Sequence, residues 1–326
     1  MSTPIKEKDI KMRYKHLNKA DVDVSQLAVG TWAIGGANFG PVNREDSIAA
    51  IRAMIDNGVN LVDTAPVYGN GYSEQLVGEA LKDGYRDKVL ISTKFGLAGT
   101  IINPMRRDAS FGNIMREVAS SLQNLKTDHI DFYFVHWPDP NTPIEETMTA
   151  LNLLKKKGII RHIGVSNFTA AQIEEALKYG DVDVQQPPYS MVDRSAEEVM
   201  KWGHERGIDS FTYGSLGAGI LSGKHRSRPN FPPDDLRWFF YPFFNEPGFS
   251  KVQELLKVMD GISSDHGNVP LSQIAINWSC SKDYVGTSLV GVKNPAQAVE
   301  NCGTFDWELT EEEIELLDRK IVELDI

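Results

Sequence analysis

Four side chains of chemical interest recur where short apolar runs end. Asp63 closes the run Asn60-Leu61-Val62-Asp63, with Tyr68 five residues on; Lys94 follows Val89-Leu90-Ile91-Ser92-Thr93; His136 follows the run Ile130 to Val135. An acid and an ammonium brought out of water together form an ion pair, because either alone is costly to bury. An ammonium near a phenol favours the phenolate and lowers the phenol from its usual pKa of about 10. A phenol tuned in this way donates a proton to a carbonyl near neutral pH. An imidazole beside it orients the carbonyl oxygen. Any one of these residues alone reads more readily as a satisfied polar group of the core. All four, in order, at successive run ends point to acid–base chemistry on a carbonyl or alcohol.

Such residues need elements that aim them at one place. Apolar or β-branched runs at Leu27–Gly30, Asn60–Asp63, Val89–Thr93, Ile130–Val135, Ile160–Val165, Val182–Gln185, Ile208–Tyr213 and Ser288–Val290 alternate with stretches of helical spacing. Examples are the face Ser47, Ile48, Ile51, Met54 and Ile55, and a last helix that opens with the capping box Thr310 to Glu313. Strands alternating with helices imply a parallel sheet, and eight such units favour closure into a barrel. The fold expected is therefore α/β: a (β/α)8 TIM barrel in one domain, residues 1–326. A short hairpin, Tyr14–Leu17 and Val22–Val24 about Asn18-Lys19-Ala20, would plug its bottom, and a long loop would follow the seventh strand. In such barrels catalytic groups sit at the C-terminal ends of the strands, where Asp63, Lys94 and His136 fall.

Composition excludes several classes. The net charge of −11 disfavours nucleic acid and anionic membranes. The basic run Lys155-Lys156-Lys157 is read as a helix C-terminus, where cations oppose the dipole. No apolar run approaches the ~20 residues that span a bilayer. The polar stretch Met1 to Tyr14 lacks the apolar centre of a secretory signal, so a cytoplasmic location is expected. Cys280 and Cys302 show no ligand spacing, so no metal is expected.

Extended segments carry these residues in a recognisable setting. Asn60-Leu61-Val62-Asp63-Thr64-Ala65-Pro66-Val67-Tyr68-Gly69, Ser92-Thr93-Lys94-Phe95-Gly96 and Asp131-Phe132-Tyr133-Phe134-Val135-His136-Trp137-Pro138 resemble the aldo-keto reductase signature. Gly164-Val165-Ser166-Asn167-Phe168, Gln186-Pro187-Pro188-Tyr189-Ser190 with Arg194, and the segment Tyr213 to Lys224 are similar to later segments of the same superfamily, closest to its bacterial general-stress and inositol-dehydrogenase-like branch. The resemblance implies an NAD(P)(H)-dependent oxidoreductase that interconverts carbonyls and alcohols by direct hydride transfer. Tyr68 would be general acid or base, Lys94 held by Asp63 would lower its pKa, and His136 would position the substrate oxygen.

The same resemblance implies the cofactor contacts. Gly30, Thr31 and Trp32 would line the site; Ser166, Asn167 and Gln186 would bind the carboxamide; and Tyr213 would stack on the nicotinamide. Gly214, Ser215, Leu216, Gly217, Gly219, Ser222 and Lys224 would hold the pyrophosphate. Gly291, Lys293, Gln297, Glu300 and Asn301 would surround the adenosine. Animal members carry a lysine at the place of Gly291 and an arginine at that of Gln297 to grip a 2′-phosphate. Lys293 substitutes as a point charge, so NADP(H) is favoured and NAD(H) remains open. Gly217-Ala218-Gly219 fits neither the GxGxxG nor the P-loop pattern.

Trp32, Phe95, Trp137 and Trp238 are candidate substrate walls, and Arg237 a candidate contact to substrate or phosphate. Residues 231–249 hold Trp238, Phe239, Phe240, Tyr241, Phe243 and Phe244, too aromatic for a disordered linker; they read as a packed loop or a lid. The expected partner is a small carbonyl or alcohol, and a homo-oligomer is compatible with the sequence. Two other readings stay open: a cofactor-binding regulatory subunit with little turnover, and a Schiff-base aldolase using Lys94 as nucleophile.

Overall fold

The computed structural model describes residues 12–36, 42–98, 106–233, 235 and 237–326. The polar N-terminal stretch therefore lies mostly outside the described residues. Its order begins with β1 (Tyr14–Leu17) and β2 (Val22–Ser25), paired antiparallel. Eight parallel strands follow: β3 (Leu27–Gly30), β4 (Leu61–Asp63), β5 (Leu90–Phe95), β8 (Ile130–Val135), β9 (Ile160–Ser166), β10 (Val184–Gln186), β11 (Asp209–Thr212) and β12 (Val285–Gly291). They close into a barrel in that sequence order, β12 returning to β3. A two-stranded excursion, β6 (Leu97–Ala98) with β7 (Arg106–Arg107), separates β5 from β8.

The helices of the barrel's outer layer are α1 (Arg44–Asp56), α2 (Tyr72–Ala80), α3 (Phe111–Leu125), α4 (Ile144–Lys156), α5 (Ala170–Leu177) and α6 (Glu197–His204). A four-residue helix, α7 (Arg237–Phe240), precedes α8 (Gly248–Asp265), α9 (Leu271–Cys280), α10 (Pro295–Cys302) and α11 (Glu311–Leu324). As expected, Lys155 and Lys156 lie in the last turn of α4, and Thr310 with Glu313 forms a capping box. A second capping box, Thr169 with Gln172, opens α5.

Strand parity divides the core in two, because alternate side chains of a strand face opposite sides. Leu61, Phe132, Phe134, Val184, Phe211 and Leu289 fill the barrel, where they meet Leu17 and Val24 of the hairpin. The hairpin thus stops one end with apolar side chains. Gly164 makes room for this filling: a Cβ there would stand 2.7 Å from Phe134 Cζ. Residues of opposite parity, among them Val62, Ile91, Phe95, Tyr133, Val135 and Val165, pack outward against the helices.

The stretch after β11 is not one loop. It forms a 3-10 turn over Gly217–Ser222, α7, and a second turn over Pro242–Phe244. Phe231, Phe243 and Phe244 pack with α8, α9 and α11 in a separate apolar cluster, while Phe239 and Phe240 face solvent. Among the described residues no helix is long and apolar enough to cross a membrane.

Candidate active site and cofactor cleft

Pairing register aims the chemistry. Asp63 stands opposite Ser92, two residues before Lys94 on the inward face of β5, and Lys94 stands opposite Phe134. Lys94 Nζ donates to Asp63 Oδ2 at 2.6 Å and to the Thr64 carbonyl at 2.9 Å. Asp63 Oδ1 accepts from Ser92 Oγ at 2.7 Å and from Gln186 Nε2 at 2.9 Å. Both charged groups are almost fully buried. Every polar atom of the pair that is named here has a partner, as survival of buried charge requires.

Tyr68 reaches the pair from the loop after β4. Its ring centroid lies 5.1 Å from the Lys94 ammonium, 6.0 Å from the His136 ring in edge-on contact and 6.0 Å from the stacked Trp32 ring. The loop is held by close backbone packing. A Cβ on Gly35 would stand 2.9 Å from the Tyr68 carbonyl carbon; Gly69 has φ +67° and abuts the Gly35 carbonyl. Ser73 Oγ, one turn beyond, donates to Thr31 Oγ1 and accepts from Thr64 Oγ1.

The site's charge states follow from its dryness. Burial pushes Lys94 down, and Asp63 opposes that shift. Burial, then the charge on Lys94, holds His136 well below the usual histidine range, so the ring is neutral at physiological pH. Burial also raises Tyr68 well above the usual phenol range, and Asp63 pushes the same way. The net direction is opposite to the lowering expected from Lys94, because burial is the largest contribution. Asp63 neutralises the ammonium, and a dry phenol keeps its proton. The arrangement is a protonated phenol beside a neutral imidazole on a rim with a compensated ion pair.

Beyond it runs a polar chain. Tyr213 Oη donates to Asn167 Oδ1 at 2.9 Å, and Asn167 Nδ2 donates to the His136 carbonyl and to Ser166 Oγ, each at 3.0 Å. Asn167 takes φ +62°, which turns its amide toward these partners. Ser166, Asn167, Gln186 and Tyr213 thus gather as expected, with Gln186 tied to Asp63.

The turn after Tyr213 is tight and left-handed. Gly217, Ala218 and Gly219 have φ of +54°, +52° and +93°, and the Gly217 and Gly219 amides donate to the Gly214 and Leu216 carbonyls. A Cβ on Gly214 would meet nothing within 4 Å. Ser215 Oγ is buried without a hydrogen-bond partner among the described residues. Ser222 is turned back on the Gly219 carbonyl, and Leu216 packs against the apolar core. Lys224, Arg237 and Lys293 sense one another: burial lowers Lys224 and Lys293, and the neighbouring cations lower them further. His225, pushed down to about 4 by burial, Lys224 and Arg237, marks the same positive patch. Asp235 binds Arg237 through both oxygens, at 2.8 and 2.6 Å. These donors suit the diphosphate of a dinucleotide.

One expected residue, Phe95, stands otherwise. Phe95 is buried against Tyr133, centroids 4.8 Å apart, in the layer between barrel and helices. It is no substrate wall, because Lys94 faces inward and parity turns its neighbour outward. Gln297 Oε1 accepts from the Lys293 amide, and Glu300 accepts from Ser272. Asn301 is buried, while Gly291 lies exposed beside Ala33. Gly30 ends β3 opposite Asp63, and Thr31 donates to the Asp63 carbonyl. Trp137 lies under Arg107, and Trp238 packs on Phe231. Sequence reasoning missed Ser92 as a donor to Asp63, although its spacing two residues before Lys94 was the available signal. It also missed Asp235, which no local pattern announces.

The chain matches the Aldo/keto reductase family over residues 26–322. It belongs to that family. This aldo-keto reductase is 36% identical to the aldo-keto reductase YhdN of Bacillus subtilis, covering 93% of this chain and 91% of that protein. It is 33% identical to the NADH-specific methylglyoxal reductase of Escherichia coli, covering 92% and 96%. Among solved structures, the glycerol dehydrogenase AKR11B4 of Gluconobacter oxydans superposes with a TM-score of 0.84 at 33% identity, over 97% of this reductase and 96% of that chain. The reductase is thus an oxidoreductase of the carbonyl class with the (β/α)8 fold, and its family uses nicotinamide cofactors.

Proposed function

We propose that this single-domain chain reduces aldehydes or ketones, or oxidises the matching alcohols, with Tyr68 as the proton donor or acceptor. A bound nicotinamide dinucleotide would supply or take the hydride. Lys94, held by Asp63, sets the field around the phenol; neutral His136 donates a hydrogen bond to the substrate oxygen. Tyr213, Asn167, Ser166 and Gln186 would hold the nicotinamide ring, and Ser215 with Lys224 the diphosphate. The observation that carries this reading is the buried Lys94–Asp63 pair touching the ring of Tyr68, which itself abuts His136.

Lys293 supports NADP(H) over NAD(H), since a 2′-phosphate gains from a cation beside it; Lys224 suits the diphosphate common to both cofactors, and Arg237 is bound by Asp235. The NADH-specific relative makes this the point to test first. Reduction of a reactive aldehyde should be faster with NADPH than with NADH at low cofactor, and Lys293→Met should raise the KM for NADPH several-fold more than that for NADH. Tyr68→Phe should still quench NADPH fluorescence while losing ~10²–10⁴-fold in turnover, the range for a positioned acid. Full turnover by that variant would defeat the assignment.

A further inference from the structure

Glu74, in the first turn of α2, is fully buried, yet no ion pair engages it among the described residues. Neutral donors hold both oxygens: Thr93 Oγ1 to Oε1 at 2.8 Å and Asn124 Nδ2 to Oε2 at 3.0 Å. Burial raises its carboxyl, opposed by these donors and by the charge on Lys94, so Glu74 is ionised in the alkaline range where Lys94 titrates. Thr93 is the outward-facing neighbour of Lys94 on β5, and α2 leads directly out of the Tyr68 loop. Glu74 therefore bridges the segment bearing the phenol to the strand bearing the ammonium.

We propose that Glu74 is a positioning residue of the catalytic centre: through Thr93 it fixes β5 against the Tyr68 segment, and its charge acts across the strand on Lys94. This rests on the assignment of Lys94 and Tyr68 above. The charged and titratable groups around Glu74 are Lys94 on β5, Glu117 on α3 and the Tyr133 phenol on β8; those around Lys94 are Asp63, Glu74, Tyr68 and His136. Glu74 is thus the second carboxylate that opposes the loss of the Lys94 proton, after Asp63. It does so from outside the barrel, where it blocks no substrate.

Lys94 can be titrated directly by NMR in protein carrying 13Cε-lysine, its signal assigned through Lys94→Arg. In Glu74→Gln, which keeps the size of the side chain and removes its charge, Lys94 should titrate about one pH unit lower. A shift of one unit corresponds to about 1.4 kcal/mol of coupling between the two charges. The alkaline limb of kcat/KM should move down by the same amount. Thr93→Val cuts the tie and leaves the charge, so it should lower kcat several-fold with the limb unmoved. An unchanged Lys94 titration in folded Glu74→Gln overturns the electrostatic role, and wild-type kcat in Thr93→Val overturns the mechanical one. Failure of the parent protein to reduce any carbonyl would refute the reductase assignment instead, leaving the Lys94 titration to judge Glu74.

Discussion

Replacing Asp63 by Asn probes the centre of the site with one atom changed. The carboxylate accepts from Lys94, Ser92 and Gln186 at 2.6, 2.7 and 2.9 Å, and Lys94 also donates to the Thr64 carbonyl at 2.9 Å. An amide in this place turns a donor toward a donor whichever way it flips, and leaves an ammonium uncompensated in the core. Breaking a buried pair from one side costs about 3–5 kcal/mol. For a 326-residue chain the entropy of unfolding is roughly 0.7 kcal/mol/K, so the melting temperature should fall by about 4–7 °C. The deficit should depend on pH. Without Asp63, Lys94 gives up its proton at a lower pH than in the parent, whose Lys94 is already lowered by burial. Between those two native pKa values the folded variant binds fewer protons than the folded parent, so it gains on the parent as pH rises. Calorimetric melts at several pH values would follow this. Adding Lys94→Met should restore most of the stability while turnover stays lost, because no unpaired charge remains. A melting point within a degree of the parent, or a deficit that widens with pH, would refute the electrostatic account.

Gly69→Ala places a Cβ at φ +67° against the Gly35 carbonyl, so it should cost more than about 1 kcal/mol and lower kcat with the loop it displaces; a variant with parental kcat would show that Tyr68 tolerates the shift. His136 is neutral in the folded protein, so stability should fall as pH drops below about 6.5, by up to ~1.4 kcal/mol per pH unit from this group. His136→Gln should remove that part of the slope, which denaturant titrations between pH 7 and 5 would detect.

The barrel was legible because its strands are apolar runs of regular recurrence, and the rim residues were legible because each ends such a run. What escaped has physical causes. Phe95 follows Lys94, and the alternation that aims the lysine inward sends the phenylalanine outward; that rule was available and decides the matter. The hairpin of β6 and β7 has two residues per strand, too few for any period. The protonation of Tyr68 turns first on its burial, which exists only once the loop after β4 has packed. Lys224 and Arg237 follow β11 whereas Lys293 follows β12, so their convergence exists only after folding.

The segment after β11 has a footing and a tip. Phe231, Phe243 and Phe244 anchor it to α8, α9 and α11 in a cluster that shares little with the barrel interior, while Phe239 and Phe240 stand in solvent. Such a division lets Phe239 and Phe240 change one at a time without disturbing the foundation beneath them, while Tyr241, next along the chain, acts on Tyr68 and is not free to follow.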